Sequence, residues 1–441
     1  MSTSFPFTTL EEFLFWEDRP AYPWSCFNRL HFRGQLDRSK FEQVVRAILQ
    51  RHPLLHAKAR MRGRMHLEWI VEAPQPVIVW EKGPVGGPFP PATHLDLLRE
   101  TGIRFRVISD GCDSDLVIQF HHACCDGIGM FAFIHELLIA YALACGATGE
   151  GLRLPPLDPE ELAGRGKFGL AFGKLARMLP KQAVGLLGVR QFLMRSAIPI
   201  VPHEPADDND APSPQYPAIL TGTLDTSQSA TVLQTATRMG VRLNDLLAAR
   251  LFLALVEWRS ANPIPSDAWL RMMVPVNLRT QANHAMSAAS LASLVFLDRR
   301  PLDCTDPERL LRSIHDEMSL ILSHRLGFTF LFFSRLLNLV PGGLRRRSRD
   351  RRCAMTCILS NAGRIFADSP LPQQEGNLVA GNVRLMSFDS VAPIRPLTCI
   401  SFAVTTYADQ LSLTLHYDPS PLTSDQAADL LATFFRRLLS P

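Results

Sequence analysis

Apolar and polar residues alternate most clearly in Asp115-Leu-Val-Ile-Gln-Phe-His-His122, which reads as a strand. Leu116, Ile118 and Phe120 share one face and His122 continues it, while Val117, Gln119 and His121 share the other. The two histidines therefore point opposite ways. A polar turn from Asp110-Gly111 to Ser114 leads into this strand. Asp126-Gly127 then opens a helix to about Ala144, with Phe131, Ile134, Leu138 and Tyr141 facing inward. Thr9-x-x-Glu12 and Ser39-x-x-Glu42 match capping boxes. After the second, Phe41, Val44, Val45, Ile48 and Leu49 fall on one helical face until Pro53 stops the run. Further strands are expected at 66–72 and 104–109.

The second half alternates again. Strands are expected near 218–224, 269–276, 290–297, 355–360, 397–406 and 410–417, and helices near 227–239, 245–260, 307–325 and 424–439. Asp306-Pro307-Glu308 is a helix start with Asp as cap and Pro in the first turn. Residues 203–217 carry four prolines and an acidic cluster, a linker composition. The expected organisation is an N-terminal lobe at 1–202, a linker at 203–217 and a C-terminal lobe at 218–441.

Composition narrows the class. A chain of 441 residues is too long for one ordinary core. With 46% hydrophobic and 20% charged residues it reads as globular, not disordered. A net charge of +4 is too mild to argue for nucleic acid. Nine cysteines without framework spacing suggest reduced thiols and a cytoplasmic setting. The N-terminus lacks signal-peptide features. No clean apolar run reaches the ~18 residues of a spanning helix, the nearest being 326–344, interrupted by Arg335, Asn338 and Pro341.

A histidine delivered by a strand to a cleft, with a pKa of about 6.5, can take a proton from an attacking group and return it to a leaving group. At most one of the two histidines takes that role, and the other is structural. Asp126 has the position of an N-cap for the helix at Gly127. Gly127 and Gly129 allow close approach of backbone or substrate. Ser360 and Asn361 end an apolar strand and could reach the cleft as polar donors for an oxyanion or substrate, and Asn244-Asp245 opens a helix.

His121-His-Ala-Cys-Cys-Asp-Gly127 resembles the HHxxxDG motif of the condensation-domain and chloramphenicol acetyltransferase superfamily. Gly34-Gln-Leu-Asp37 with Arg51-His-Pro-Leu-Leu55 is similar to its opening segment. Pro275-Val-Asn-Leu-Arg279 is similar to its PVNLR strand end. Leu359-Ser-Asn-Ala-Gly-Arg364 is similar to the SN-x-G segment of its wax ester synthase and alcohol acetyltransferase branches. The four segments span nearly the whole chain, in the superfamily's order. The resemblance implies an α/β (α+β) fold of two chloramphenicol acetyltransferase-like lobes, with mixed sheets and an active-site tunnel between them.

It further implies acyl transfer from a thioester donor, acyl-CoA or a phosphopantetheinyl carrier protein, to a hydroxyl or amine acceptor. His122 would be the general base, with no covalent intermediate, no tightly bound cofactor and no metal. By the same resemblance Asp126 forms a salt bridge with Arg279, a positioning pair, and Asn244 falls on the "ND" of the wax ester synthase branch. The DFGWG segment of plant acyltransferases is absent; Leu385-Met-Ser-Phe-Asp-Ser390 lies near that place. A condensation-like scaffold that binds a carrier protein or lipid without catalysis is the alternative.

Other patterns carry less. Gly164-Arg-Gly-Lys-Phe-Gly169 fits GxGxxG but follows a Pro- and Glu-rich loop, not a strand. Cys124 and Cys125 read as small fillers of a tight turn. Zinc at His121, His122 and a cysteine is disfavoured, because histidines alternating across a strand do not converge. Residues 167–195 and 319–352 mix apolar and basic positions. They read as core-facing helices with basic faces, as peripheral membrane contacts, or as sites for coenzyme A phosphates or an acidic carrier protein.

Overall fold

The computed structural model describes residues 3–62, 66–149, 151–167, 172–261, 263–280, 283, 285–340, 342–349 and 352–440. The strands in chain order are β1 (Thr3–Pro6), β2 (Ser25–Arg33), β3 (Ala57–Arg62), β4 (His66–Val71), β5 (Val77–Lys82), β6 (Ile103–Ser109), β7 (Asp113–His121) and β8 (Ile219–Thr223). They continue with β9 (Leu270–Asn277), β10 (Ala292–Arg299), β11 (Cys357–Arg364), β12 (Gln373–Gln374), β13 (Asn377–Ala380), β14 (Val383–Val391), β15 (Ile400–Tyr407) and β16 (Gln410–Tyr417). The helices are α1 (Thr9–Glu17), α2 (Arg38–Arg51), α3 (Gly127–Ala144), α4 (Pro159–Ala163), α5 (Phe172–Met194), α6 (Thr226–Arg238), α7 (Leu243–Trp258), α8 (Pro307–Ser323), α9 (Gly327–Asn338), α10 (Gly343–Ser348) and α11 (Ser424–Leu439).

Two larger sheets carry the architecture. One runs β12-β13-β14-β2-β7-β6-β5, the other β10-β9-β11-β15-β16-β8, and a small sheet β1-β4-β3 lies apart. Both large sheets mix parallel and antiparallel pairs: β5 is parallel to β6, and β11 is parallel to β9 and β15. The α/β class with mixed sheets is as expected. The boundary at 203–217 is crossed by the chain, because β14, from the C-terminal half, pairs with β2 in the first sheet. The second sheet grips that strand: Tyr407 donates to the Leu385 carbonyl (2.9 Å), and Thr414 donates to the Ser390 carbonyl.

β2 was not foreseen, for a physical reason. One face is buried throughout and includes Asn28, and the other is partly buried and carries Arg29, held by Asp389 of β14 at 2.8 and 2.9 Å, so the strand's alternation is hidden. Two helix starts shift as well. Thr8, not Thr9, caps α1 through a box with Glu11, and Asp37, not Ser39, caps α2. Asp306 caps α8 as expected. α3 departs from the expectation that no segment is long and apolar enough to cross a membrane: by length and composition it is. Its Met130, Phe133, Ile134, Leu137, Leu138 and Tyr141 are spent in the core.

The GxGxxG segment follows α4 and forms a short turn of helix at Arg165–Lys167, and Arg165 is buried against Glu11 at 2.7 Å. Gly169, like Arg351 of the basic stretch, lies outside the described residues.

Candidate active site

β7 delivers the histidines as its alternation requires. The ladder to β2 continues past its last pair, Ser25 with His121, because the His122 N–H donates to the Trp24 carbonyl at 2.8 Å. His121 is fully buried. Its Nδ1 accepts from the Ala123 N–H (3.1 Å) and its Nε2 lies 3.5 Å from Asp18 Oδ1. Burial opposes ionisation of Asp18, but the facing His121 and His94 outweigh it and hold the carboxyl well below its usual range. His121 therefore braces the loop before β2 and is turned away from His122.

After His122 the chain turns tightly into α3. Cys124 and Cys125 are fully buried, and burial pushes both thiols well above their ordinary pKa, so they are poor nucleophiles. Asp126 fulfils both readings made of it. Its Oδ1 caps α3 by accepting from the Gly129 N–H at 2.9 Å. Both of its oxygens also take the Arg279 guanidinium, at 2.7 and 2.8 Å, and Oδ2 accepts from the Leu291 N–H at 2.7 Å. Arg279 in turn donates to the Ala289 carbonyl at 2.9 Å. Burial works against the Asp126 charge; Arg279 and the two N–H donors overcome it and hold the carboxyl below its ordinary pKa.

Glycine serves one of the two expected positions. A Cβ at Gly129 would sit 2.7 Å from Cys125 Sγ and 3.1 Å from the backbone N and O of Ala289. At Gly127 it would meet only the Phe131 ring at 3.8 Å, an ordinary contact, so Gly127 is not sterically required.

A second tie lies behind the first. The His52 Nδ1 accepts from the Ala288 N–H (2.9 Å), and Ser287 Oγ donates to the Arg51 carbonyl (2.8 Å). Arg51 also donates to the buried Glu136 of α3 at 2.6 Å. The Arg51-His-Pro segment thus anchors residues 287–291, the same loop that Asp126 and Arg279 hold from the other side.

His122 opens onto a cavity of about 50 Å³ lined also by Leu10, Leu14 and Trp24, by Met273, Pro275, Ala292 and Leu294 of the second sheet and its approach, and by Ser290, Ser360 and Pro393. The site therefore lies at the seam of the two sheets. The ring meets Trp24 edge-on, with centroids 5.6 Å apart. Its Nδ1 is buried with no hydrogen-bond partner on any other described residue, which leaves Nε2 as the nitrogen for the cavity. Enclosure by protein lowers the His122 pKa; Asp126 and the residue's own carbonyl pull less strongly the other way. The ring is thus neutral near neutral pH.

Of the residues anticipated around it, Ser360 lines this cavity. Asn361 and Asn244 do not; they are hydrogen-bonded to each other, and Asn361 Oδ1 also accepts from the Gly363 N–H (2.8 Å). Two polar groups at the cavity escaped the sequence reading. Ser290 and Trp24 line the cavity, and Ser290 Oγ and Trp24 Nε1 are buried without a hydrogen-bond partner among the described residues. Neither sits in a motif, and Trp24 precedes the unforeseen β2.

A second cavity of about 1580 Å³ shares Trp24, Met273 and Leu294 with the first. Its walls come from α5, α8, α9, β9 and β10.

The overall likeness is to one group of solved structures. The first condensation domain of the calcium-dependent antibiotic synthetase aligns over 99% of this chain and 96% of its own, with a TM-score of 0.71 at 14% identity. The chain has the condensation-domain fold. Among other structures with this fold, the starter condensation domain of rhizomide synthetase, solved in complex with C8-CoA, has a TM-score of 0.69 at 12% identity, covering 99% and 94% of the two chains. Trichothecene 15-O-acetyltransferase from Fusarium sporotrichioides has 0.68 at 14%, covering 99% and 95%. By sequence, an uncharacterized protein of Mycobacterium tuberculosis, from strains CDC 1551 and H37Rv, is 25% identical over 321 residues, 70% of each chain. No family model matches. Within the condensation-domain fold, His122 and its cavity occupy the junction of the two sheets.

Proposed function

We propose that the protein is an acyltransferase that moves an acyl group from a thioester, acyl-CoA or a carrier-protein thioester, to a hydroxyl or amine, with His122 as general base. The observation that carries this reading is the His122 imidazole on the wall of a cavity at the seam of the fold, where enclosure by protein favours its neutral form. The solved acetyltransferase and the C8-CoA complex with the same fold support it by analogy.

In the step proposed, His122 Nε2 takes the proton of the acceptor as its oxygen or nitrogen bonds to the thioester carbon. The carbonyl oxygen becomes an oxyanion, and the unpartnered Ser290 hydroxyl and Trp24 N–H are donors at hand for it. Collapse breaks the carbon–sulfur bond, and the imidazolium returns its proton to the departing thiolate. Asp126 and Arg279 move no proton; they position the turn that bears His122.

The test is thiol release from acyl-CoA with a panel of alcohols and amines. His122→Ala should lower the rate by about 10²–10⁴-fold with an unchanged melting curve. Full activity in that variant would overturn the reading.

A further inference from the structure

The small cavity holds little more than the reacting atoms, so most of any substrate must lie elsewhere. The larger cavity shares three of its wall residues and, at about 1580 Å³, exceeds the ~300–1,000 Å³ usual for small-molecule sites. Leu294, Phe296, Ile321, Phe330, Phe333 and Met355 give it an apolar stretch of wall, beside charged residues such as Arg271, Asp298, Arg299 and Glu317. The apolar lining extends to the outer rim, where Leu187, Leu193 and Leu302 are 57%, 54% and 56% exposed. Leucines held in water at the lip of an apolar cavity are a cost unless something apolar covers them.

The charged residues along the wall are largely paired with each other. Arg271 is held by Asp298 at 2.7 and 3.0 Å and Arg299 by Glu317 at 2.8 Å. A second observation lies at the shared wall. Trp24 is 3% exposed, and its indole N–H, which can only donate, has no acceptor among the described residues. A carbonyl oxygen at the junction of the two cavities would supply one.

We infer that the larger cavity is the binding site for a long, unbranched aliphatic acyl chain. The chain runs from the rim of α5 and α8 inward, and its carbonyl arrives at Trp24 beside His122. This rests on the acyl-transfer reading for its orientation, but the binding itself is independent of turnover.

The experiment is calorimetric binding of butyrate, octanoate, laurate and palmitate to the full chain and to His122→Ala. Affinity should climb through the series in both proteins, by up to about fourfold per methylene, the equivalent of ~0.8 kcal/mol for each buried CH₂. Gly188→Phe fills the cavity from α5, where a Cβ meets nothing within 4 Å, and should weaken palmitate at least tenfold while affecting butyrate little. Leu193→Glu, at an exposed position that folding does not depend on, should do the same by placing a charge at the rim. Affinity that does not rise beyond octanoate, or palmitate binding that both variants retain, would overturn the chain site. Chain-length-dependent binding without thiol release would uphold it and sink the transferase reading; thiol release without such binding would do the reverse.

Discussion

His122 is enclosed by protein yet keeps one nitrogen towards a cavity, so its titration reports on both stability and turnover. Its pKa in the folded chain lies below the ordinary 6.5. The unfolded chain therefore binds the extra proton first, and His122 lowers stability as pH falls below about 6.5. The acid limb of kcat/KM should likewise lie below 6.5, since the base works only when neutral. Asp126 raises the His122 pKa from nearby. Asp126→Asn should therefore move that limb to still lower pH, which a pH–rate profile reads directly; a limb shifted upward would contradict the geometry. Asp126→Ala removes the cap and strands the Arg279 charge. Loss of one partner of a buried pair costs about 3–5 kcal/mol, and the melting temperature should fall accordingly. The role of Asp126 was legible in two separate ways, as a cap from its place before a helix and as a bridge from the resemblance, and the carboxylate has oxygens enough for both. Asn361 was misplaced because sequence shows that an amide ends a strand but not which face it takes, and Asn244, in the first turn of α7, is hydrogen-bonded to it. Ser360 and Asn361 are neighbours, and only the first turns to His122.

At the scale of elements, α3 and the loop 287–291 are the pieces that must meet for the site to exist. Gly129 makes their approach possible. Gly129→Ala would press a methyl group against the Ala289 backbone, which cannot yield as a side-chain tip can. Overpacking of this kind costs about 1–3 kcal/mol, so both melting temperature and thiol release should drop; unchanged melting would show that the loop can retreat. Capped helices were the easiest elements to read, because Asp126 and Asp306 do their chemistry locally. The strands that bind the halves together were the hardest. β2 hides its period behind Asn28 and Arg29, and β14 breaks its own with an irregularity in register between Leu385 and Ser387. Their pairing with each other joins Phe27 to Val391 and Arg33 to Arg384, and no local pattern encodes that.

For the whole molecule, the order of four short segments carried the fold, while the expected partition into 1–202 and 218–441 missed the exchange of β14. That exchange makes the N-terminal half incomplete. Residues 1–202 expressed alone should show no cooperative thermal unfolding, because β2 would present an unpaired edge where β14 belongs. A sharp melt from that fragment would show that the exchange is dispensable. The cavities, too, are properties of the assembled chain: α5, α8 and α9 wall the larger one from sequence positions that show only apolar and basic residues in alternation. The β14 exchange also limits how the molecule can move. A strand laced into one sheet by its ladder, and clasped by Tyr407 and Thr414 of the other, acts as a stitch across the gap. The halves cannot swing apart like covers of a book without tearing it.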